Sequence, residues 1–314
     1  MTTSKKTRDP GVGTSYTINS KRIINRDGSF NVIKAGLQTS SRDAYQLLIA
    51  MSWRQFFLFI FTFLLLINGA FALAYASLGS GQLGGIVAQG FLERLLEAYY
   101  FSFQTFTTVG YGVIHPVSHL ANIIASFEAV VGWMCFAIIT GILYGRFSRP
   151  SARLKYSNHA LITPYNDEFN SLQFRIANMR QSNLMELEAT VLLMVVERQK
   201  DGKGILKRRF INLELERRSI LFFPLNWTLV HVIDKDSPLY RKTYDDLKDM
   251  DAEVLIMIKG FDDTFSQVVH SRFSYKCDEI KWGAKFSAVY ETQPSGDIMI
   301  NFNQMNDHIE VELK

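Results

Sequence analysis

Cysteine is nearly missing from this chain: there are two in 314 residues, Cys135 inside an apolar run and Cys277 in a polar stretch. Neither a disulfide framework nor a thiolate metal cluster is expected. Also missing are the motifs that present a nucleophile, a catalytic zinc or a phosphate cradle. With no G-x-S-x-G, no H-E-x-x-H and no P-loop, the chain does not read as an enzyme, and no cofactor is expected. Charge is scarce, at 20% of residues against 47% hydrophobic, and the net +4 is too mild to name a partner; no nucleic acid is expected. The first 50 residues are too polar for a signal peptide.

The scarcity of charge is concentrated. Phe56 to Leu78 carries no charged residue, and about 20 apolar residues at 1.5 Å each cross a hydrocarbon core of about 30 Å. A second run, Leu120 to Phe147, contains one acid, Glu128, and ends at Arg146. Both are expected to be transmembrane helices. Glu93 to Thr108 between them is helical in character but too short and too polar to span, so it is expected to re-enter from one side. Lys5, Lys6, Arg8, Lys21, Arg22, Arg26, Lys34, Arg42 and Arg54 precede the first span, whereas Arg94 is the sole lysine or arginine between the spans. The positive-inside rule then puts both termini in the cytoplasm, as a multi-pass protein of the cell (inner) membrane, with residues 93–116 entering from outside.

Overlapping the end of that short helix is "TFTTVGYGVIHP", residues 105–116, an irregular segment with two glycines. Irregular backbone is tolerated at membrane depth where it lines a water-filled path. Its "TVGYG" matches the filter motif of potassium channels. The physical logic is that a dehydrated potassium ion needs rings of oxygens in place of water. Gly110 and Gly112 tolerate positive φ, so the carbonyls of Thr108, Val109, Gly110 and Tyr111 can face one axis, with the Thr108 hydroxyl adding a last ring. K+ is expected at those four residues as the permeant ion. One chain offers one strip of oxygens; the motif implies four copies, hence three identical subunits as partners. The negative end of the preceding helix, at about Thr107, would point at the ion.

On the second span, Phe136, Thr140 and Tyr144 lie a turn apart on one face, which would line a cavity and, at Tyr144, form an apolar gate. The alternative is ordinary packing against lipid or neighbouring helices. Glu128 falls about 80° off that face and is expected behind the filter, hydrogen-bonded. Gly132 and Gly141 leave room for bending or close packing. Three further matches are set aside. "GSGQLG" (Gly79 to Gly84) follows no strand, "NWT" (Asn226 to Thr228) is a sequon in the cytoplasmic part, and His115 with His119 straddles Pro116 without an acidic neighbour.

After "RFSRP" the chain turns polar and strand-like. "ATVLLMVVERQ", "FINLELE", "WTLVHVID" and "AEVLIMIKG" read as strands, and "KDGKG" (Lys200 to Gly204) as a turn between two of them. A β-sandwich without intervening helices is expected. Arg146, Arg149, Arg153 and Lys155 form a basic cluster that anionic headgroups would attract or that records topology alone.

Taken together, "TVGYG", "RFSRP", "FRIANMRQSNLMELEA", "WTLVHVIDKDSPLY" and "CDEIKWGAKF" resemble the inward-rectifier potassium channels, and more closely their prokaryotic (KirBac-type) branch, from about Arg22 onward. The resemblance implies a homotetramer of membrane α plus β class: a two-transmembrane-helix potassium pore with a re-entrant pore helix, joined to a cytoplasmic immunoglobulin-like β-sandwich. Residues 1–52 would form an N-terminal arm with a slide helix at Ser41 to Met51, 53–147 the pore and 148–314 the cytoplasmic domain. It places Phe136 where strong rectifiers carry an acid, which puts strong rectification in doubt. It makes Glu186 the cytoplasmic-pore acid, a solvated surface acid being the alternative, and "KGFDD" a girdling loop with Gly260 and Phe261 at its narrowing. Phosphoinositide or another anionic lipid would act through the basic cluster, best matched at Arg146 and Arg149. Gln104 and Ile114 stand where eukaryotic members pair an acid with an arginine, and their outer cysteine pair is missing. The rival reading is a membrane-anchored β-sandwich binding module with a non-conducting pore.

Overall fold

Four helices account for the apolar half of the chain. In the computed structural model, residues 9–16, 22–33, 35–36, 41–149, 152–166, 168–180, 182–198 and 206–314 are described. Lys5, Lys6, Arg8, Lys21, Lys34, Pro150 of "RFSRP" and the "KDGKG" turn lie outside them. The chain forms two compact units, Gly36–Arg149 and a second made of Met1–Ala35 with Pro150–Lys314.

The helical unit begins with α1 (Ser41–Ala50) and α2 (Trp53–Ser77). Ser52 separates them by a capping box: its Oγ accepts from Gln55 N at 3.3 Å, and Gln55 Oε1 accepts from Ser52 N at 3.1 Å. Such a box satisfies two N–H groups that a helix start leaves orphaned, so α2 begins at Trp53, ahead of the first uncharged residue of the run. α3 (Phe91–Phe106) is the short helix, and α4 (His119–Phe147) the second long one, capped by Ser118. α2 and α4 are long and apolar enough to cross a membrane. Between α2 and α3, Leu83–Gly84 pairs antiparallel with His115–Pro116. A Cβ on Gly85 would lie 2.0 Å from the Val113 carbonyl oxygen, so this close approach requires glycine.

The β-rich unit stacks two sheets on one core. In the first, strands run in the order Ser15–Tyr16, Leu206–Asn212, Leu184–Arg198, Glu253–Asp262, Gln267–Lys276, with Ser219–Phe222 also pairing to Leu184–Arg198. The second runs Asn226–Ile233, Phe169–Asn178, Ala160–Tyr165, Ile280–Trp282, with Leu154–Tyr156 added beside Phe169–Asn178. Alternation explains the facing. Along Asn226–Ile233, Trp227, Leu229, His231 and Ile233 are buried and the residues between them are half-buried. Leu172, Phe174 and Ile176 of one sheet and Leu187, Val191, Val254 and Ile256 of the other share that core.

Two expectations need correction here. "FINLELE" is a strand only as far as Asn212: Leu213 N still donates to Val191 O, in register with the neighbouring strand, but Glu216 N already donates to Val230 O of the other sheet. A helix, Tyr244–Asp249, does interrupt the strands, started by a second capping box between Thr243 and Asp246.

The N-terminal segment is fastened to this unit by charge. Glu253 accepts from the backbone N–H groups of Ile23 and Ile24. Arg22 and Arg26 reach Glu279 at 2.8 and 2.6 Å. Burial alone would raise the Glu279 carboxyl, but the Lys276 N–H and the two guanidinium groups outweigh it and hold it below the usual carboxylate range.

Candidate functional site

The short helix α3 stops at Thr107, whose hydroxyl turns back to donate to Phe103 O at 2.6 Å. The chain then doubles under the helix end. Gln104 O accepts from Val109 N at 2.9 Å and from Gly110 N at 3.3 Å, so one carbonyl of α3 fixes two consecutive amides of the filter segment. Those are two donors spent toward the helix, which leaves the carbonyls of the segment uncommitted.

Backbone handedness alternates along it. Gly110 and Gly112 have φ of +55° and +81°, as expected, and Thr108 is left-handed too at +59°, which was not. Val109 and Tyr111 between them are not left-handed. Such alternation lets successive carbonyls share one direction, and at a threonine it costs roughly 1 kcal/mol or more unless the surroundings hold it. No Cβ placed on Gly110 or Gly112 meets an atom within 4 Å, so glycine is required there for conformation and not for space. The whole segment 107–112 is exposed in the single chain.

Behind the segment lies a buried polar cluster. Glu128 on α4 is fully buried; Tyr75 Oη donates to one carboxylate oxygen at 2.6 Å and Ser102 Oγ contacts the other. Ser102 also lies 3.0 Å from Asn68 Oδ1, and Asn68 Nδ2 donates to Leu64 O. The position of Glu128 matches expectation. Its partners were not foreseen, although Asn68 and Ser102 stand out as polar residues amid apolar neighbours. One turn further on, Gly132 admits the end of α3: a Cβ there would sit 2.1 Å from Phe106 O.

Phe136, Thr140 and Tyr144 are exposed, with Phe136 at 72% and Tyr144 at 73%. His115 lies against Gly84, and among the described residues no cluster of His, Cys, Asp or Glu could hold a metal.

These features meet a family that known proteins already define. Residues 154–314 match the family described as inward rectifier potassium channel C-terminal domain, and 59–149 match the one described as ion channel. Inward rectifier potassium channel Kirbac3.1 of Paramagnetospirillum magnetotacticum is 34% identical over 288 residues, 91% of this chain and 95% of that protein. This chain belongs to the inward-rectifier potassium channel family. G protein-activated inward rectifier potassium channel 4 of Mus musculus is 27% identical over 314 residues, 92% of this chain and 73% of its own. ATP-sensitive inward rectifier potassium channel 15 of Homo sapiens is 28% identical over 312 residues, covering 93% and 83%.

In this inward rectifier the basic cluster divides. Arg146 donates to the carbonyls of Leu48, Ile49 (3.0 Å) and Met51 (2.7 Å), the last turn of α1 and the residue after it. It also lies 4.6 Å from the Trp53 ring centroid and 4.5 Å from that of Phe56. A helix end leaves its last carbonyls without partners, and Arg146 supplies them. Arg146, expected at headgroups, has Nη1 and Nη2 engaged on α1 here, while its Nε is buried without a hydrogen-bond partner. Lys155 donates to Phe302 O at 2.7 Å. Arg149 and Arg153 are exposed.

In the β-rich unit, Glu186 is exposed at φ +51° within Leu184–Arg198. Lys259 faces Glu188 while Phe261 faces Met185, so Glu186 and Leu187 together oppose Gly260 in a β-bulge. "KGFDD" is not a loop. Its Lys259 to Asp262 complete a strand, Gly260 is buried against Leu187, and the turn starts at Asp263. The Asp262 carboxylate makes that turn by accepting from Thr264 N and Phe265 N at 3.0 and 3.3 Å.

Proposed function

We propose that four copies of this chain form a potassium-selective pore that conducts K+ passively across the cell membrane, with no enzymatic step and no cofactor. The observation that carries this is the filter segment: left-handed residues at 108, 110 and 112, amides of Val109 and Gly110 committed backward to Gln104, and carbonyls left for an ion. Exposed apolar side chains support assembly, because Val109 and Tyr111 at 53% and 75% exposure belong against something other than water. Copies around a four-fold axis cover them and close the oxygen rings.

In that assembly Phe136, Thr140 and Tyr144 line the cavity and gate below the filter. Both termini lie in the cytoplasm, where the two stacked sheets act as an immunoglobulin-like domain that prolongs the path past Glu186 and the strand end at Gly260 and Phe261. Anionic lipid, phosphoinositide or otherwise, modulates opening through Arg149 and Arg153. Purified protein in liposomes tests the reading: K+ and Rb+ should enter in preference to Na+, barium should block, and native mass should give a tetramer. Equal Na+ and K+ uptake, or absence of flux in every lipid mixture, overturns it.

A further inference from the structure

α3 and α4 meet at two points one turn apart. Ser102 touches Glu128, and four residues on, the Phe106 carbonyl rests on Gly132, itself four residues beyond Glu128. Both contacts lie on the same pair of helix faces, so together they set how α3 lies along α4. α3 in turn holds the filter, because Gln104, two residues after Ser102, accepts from Val109 N and Gly110 N. Glu128 is fully buried, and among the described residues no lysine, arginine or histidine pairs with it; hydroxyls from two other helices, Ser102 and Tyr75, meet its oxygens. An acidic residue kept in a membrane helix with such partners is there for what it holds.

We propose that Glu128 is a positioning residue for ion selection, bracing α3 through Ser102 so that the Gln104 carbonyl stays under the filter amides. This chain has Gln104 and Ile114 where the resemblance places the acid of the pore helix and the arginine after the filter that eukaryotic members pair, and here a brace comes from Glu128 on α4. The inference rests on the conducting reading for its flux readout, but its second readout does not.

The test compares Glu128→Leu, Ser102→Ala and Glu128→Gln in the full-length chain, scored only on fractions of the parental oligomeric size. Glutamine can keep the contacts by donating to Ser102 Oγ, whose own hydrogen then goes to Asn68 Oδ1, already 3.0 Å away. Two measurements are made: the ratio of K+ to Na+ uptake in liposomes, and amide hydrogen exchange at Val109 and Gly110. Glu128→Leu and Ser102→Ala should speed exchange at those amides about tenfold, the factor that one lost hydrogen bond of ordinary strength represents. They should also lower the uptake ratio, while Glu128→Gln stays near the parent in both. Failure of the parent itself to prefer K+ would refute the conducting reading, and the exchange result would still decide this one. If both disruptive variants lose heat resistance but keep parental exchange at Val109 and Gly110, Glu128 is a packing residue and the proposal is wrong. If Glu128→Gln behaves as Glu128→Leu, the charge and not the bracing contact matters, which overturns it too.

Discussion

The two units of this chain bury their residues by opposite rules. The β-rich unit closes a core of its own, in which Leu172, Leu193, Leu229 and Val254 are almost wholly out of water. The helical unit leaves Leu66 and Trp133 69% and 68% exposed, while its deepest residues include Asn68, Ser102 and Glu128. In water this inversion would be ruinous. In a hydrocarbon solvent it is the economical arrangement, because apolar side chains lose nothing by facing lipid or another copy and polar ones must find each other. A soluble fold can be complete in one chain, whereas the helical unit is written for surroundings that a single chain does not contain.

Glycine sharpens the contrast most strongly. Gly110 and Gly112 are needed for their φ and Gly132 for its space, so they should fail differently. Gly112→Ala strains each subunit by roughly 1 kcal/mol or more, repeated around the proposed ring, and should cut K+ uptake by about 100-fold or more. The β-rich unit should keep its parental exchange protection. A conducting Gly112→Ala channel would show that the left-handed backbone is not what selects the ion.

Phe136 comes next. Its exposed ring offers an internal polyamine no fixed charge, so block by internal spermine should be shallow in the parent. Phe136→Asp places up to four carboxylates in a confined space of low dielectric, and block should deepen about tenfold, equal to about 1.4 kcal/mol. Outward single-channel currents in bilayers with internal spermine measure this. Identical block in both proteins would mean that Phe136 faces away from the path.

A smaller effect separates the exposed basic residues from the engaged one. Neutralising Arg149 and Arg153 together removes charges worth about 1 kcal/mol each near an anionic surface, and should weaken the flux response to anionic lipid about fivefold or more. Arg146→Gln should instead loosen α1, seen as faster exchange at its last turn. An unchanged lipid response in the Arg149 and Arg153 variant would make that cluster a record of topology only.

How much of this was legible beforehand obeys the same division. The spans, the short helix and the filter could be read because membrane helices and the "TVGYG" glycines depend on local pattern. The strand-rich half was legible in outline only. "FINLELE" shows why: Leu213 to Glu216 alternate well enough for a strand, yet backbone pairing to distant residues decides where the strand ends. The partners of Glu128 were out of reach for a related reason, since Tyr75, Ser102 and Asn68 come from two other helices and no spacing links them. The contacts of Arg146 with α1 were equally out of reach, because a basic residue after a span reads the same whether it meets headgroups or helix carbonyls.

The finest test concerns acid, and it should touch only the β-rich unit. His231 is buried with Nδ1 2.7 Å from Glu214 O and Nε2 2.9 Å from Ser237 Oγ. Burial holds its imidazole below the ordinary histidine value, even though the Glu214 carbonyl pulls the other way. A histidine whose folded value is depressed binds fewer protons folded than unfolded, so its stability contribution is fully present above about pH 6.5 and declines as pH falls below that. Glu279 is also depressed and also loses its contribution in acid, but in the lower carboxylate window, so the two steps separate. Exchange at the amides of Asn226–Ile233 should therefore quicken between about pH 6.5 and 5, while protection of the N-terminal segment that Arg22 and Arg26 tie to Glu279 persists into the lower window of Glu279. His231→Gln should flatten the first step and leave the second. If the strand and the N-terminal segment lose protection together at one pH, His231 is not the titrating group and the β-rich unit answers acid as a single block.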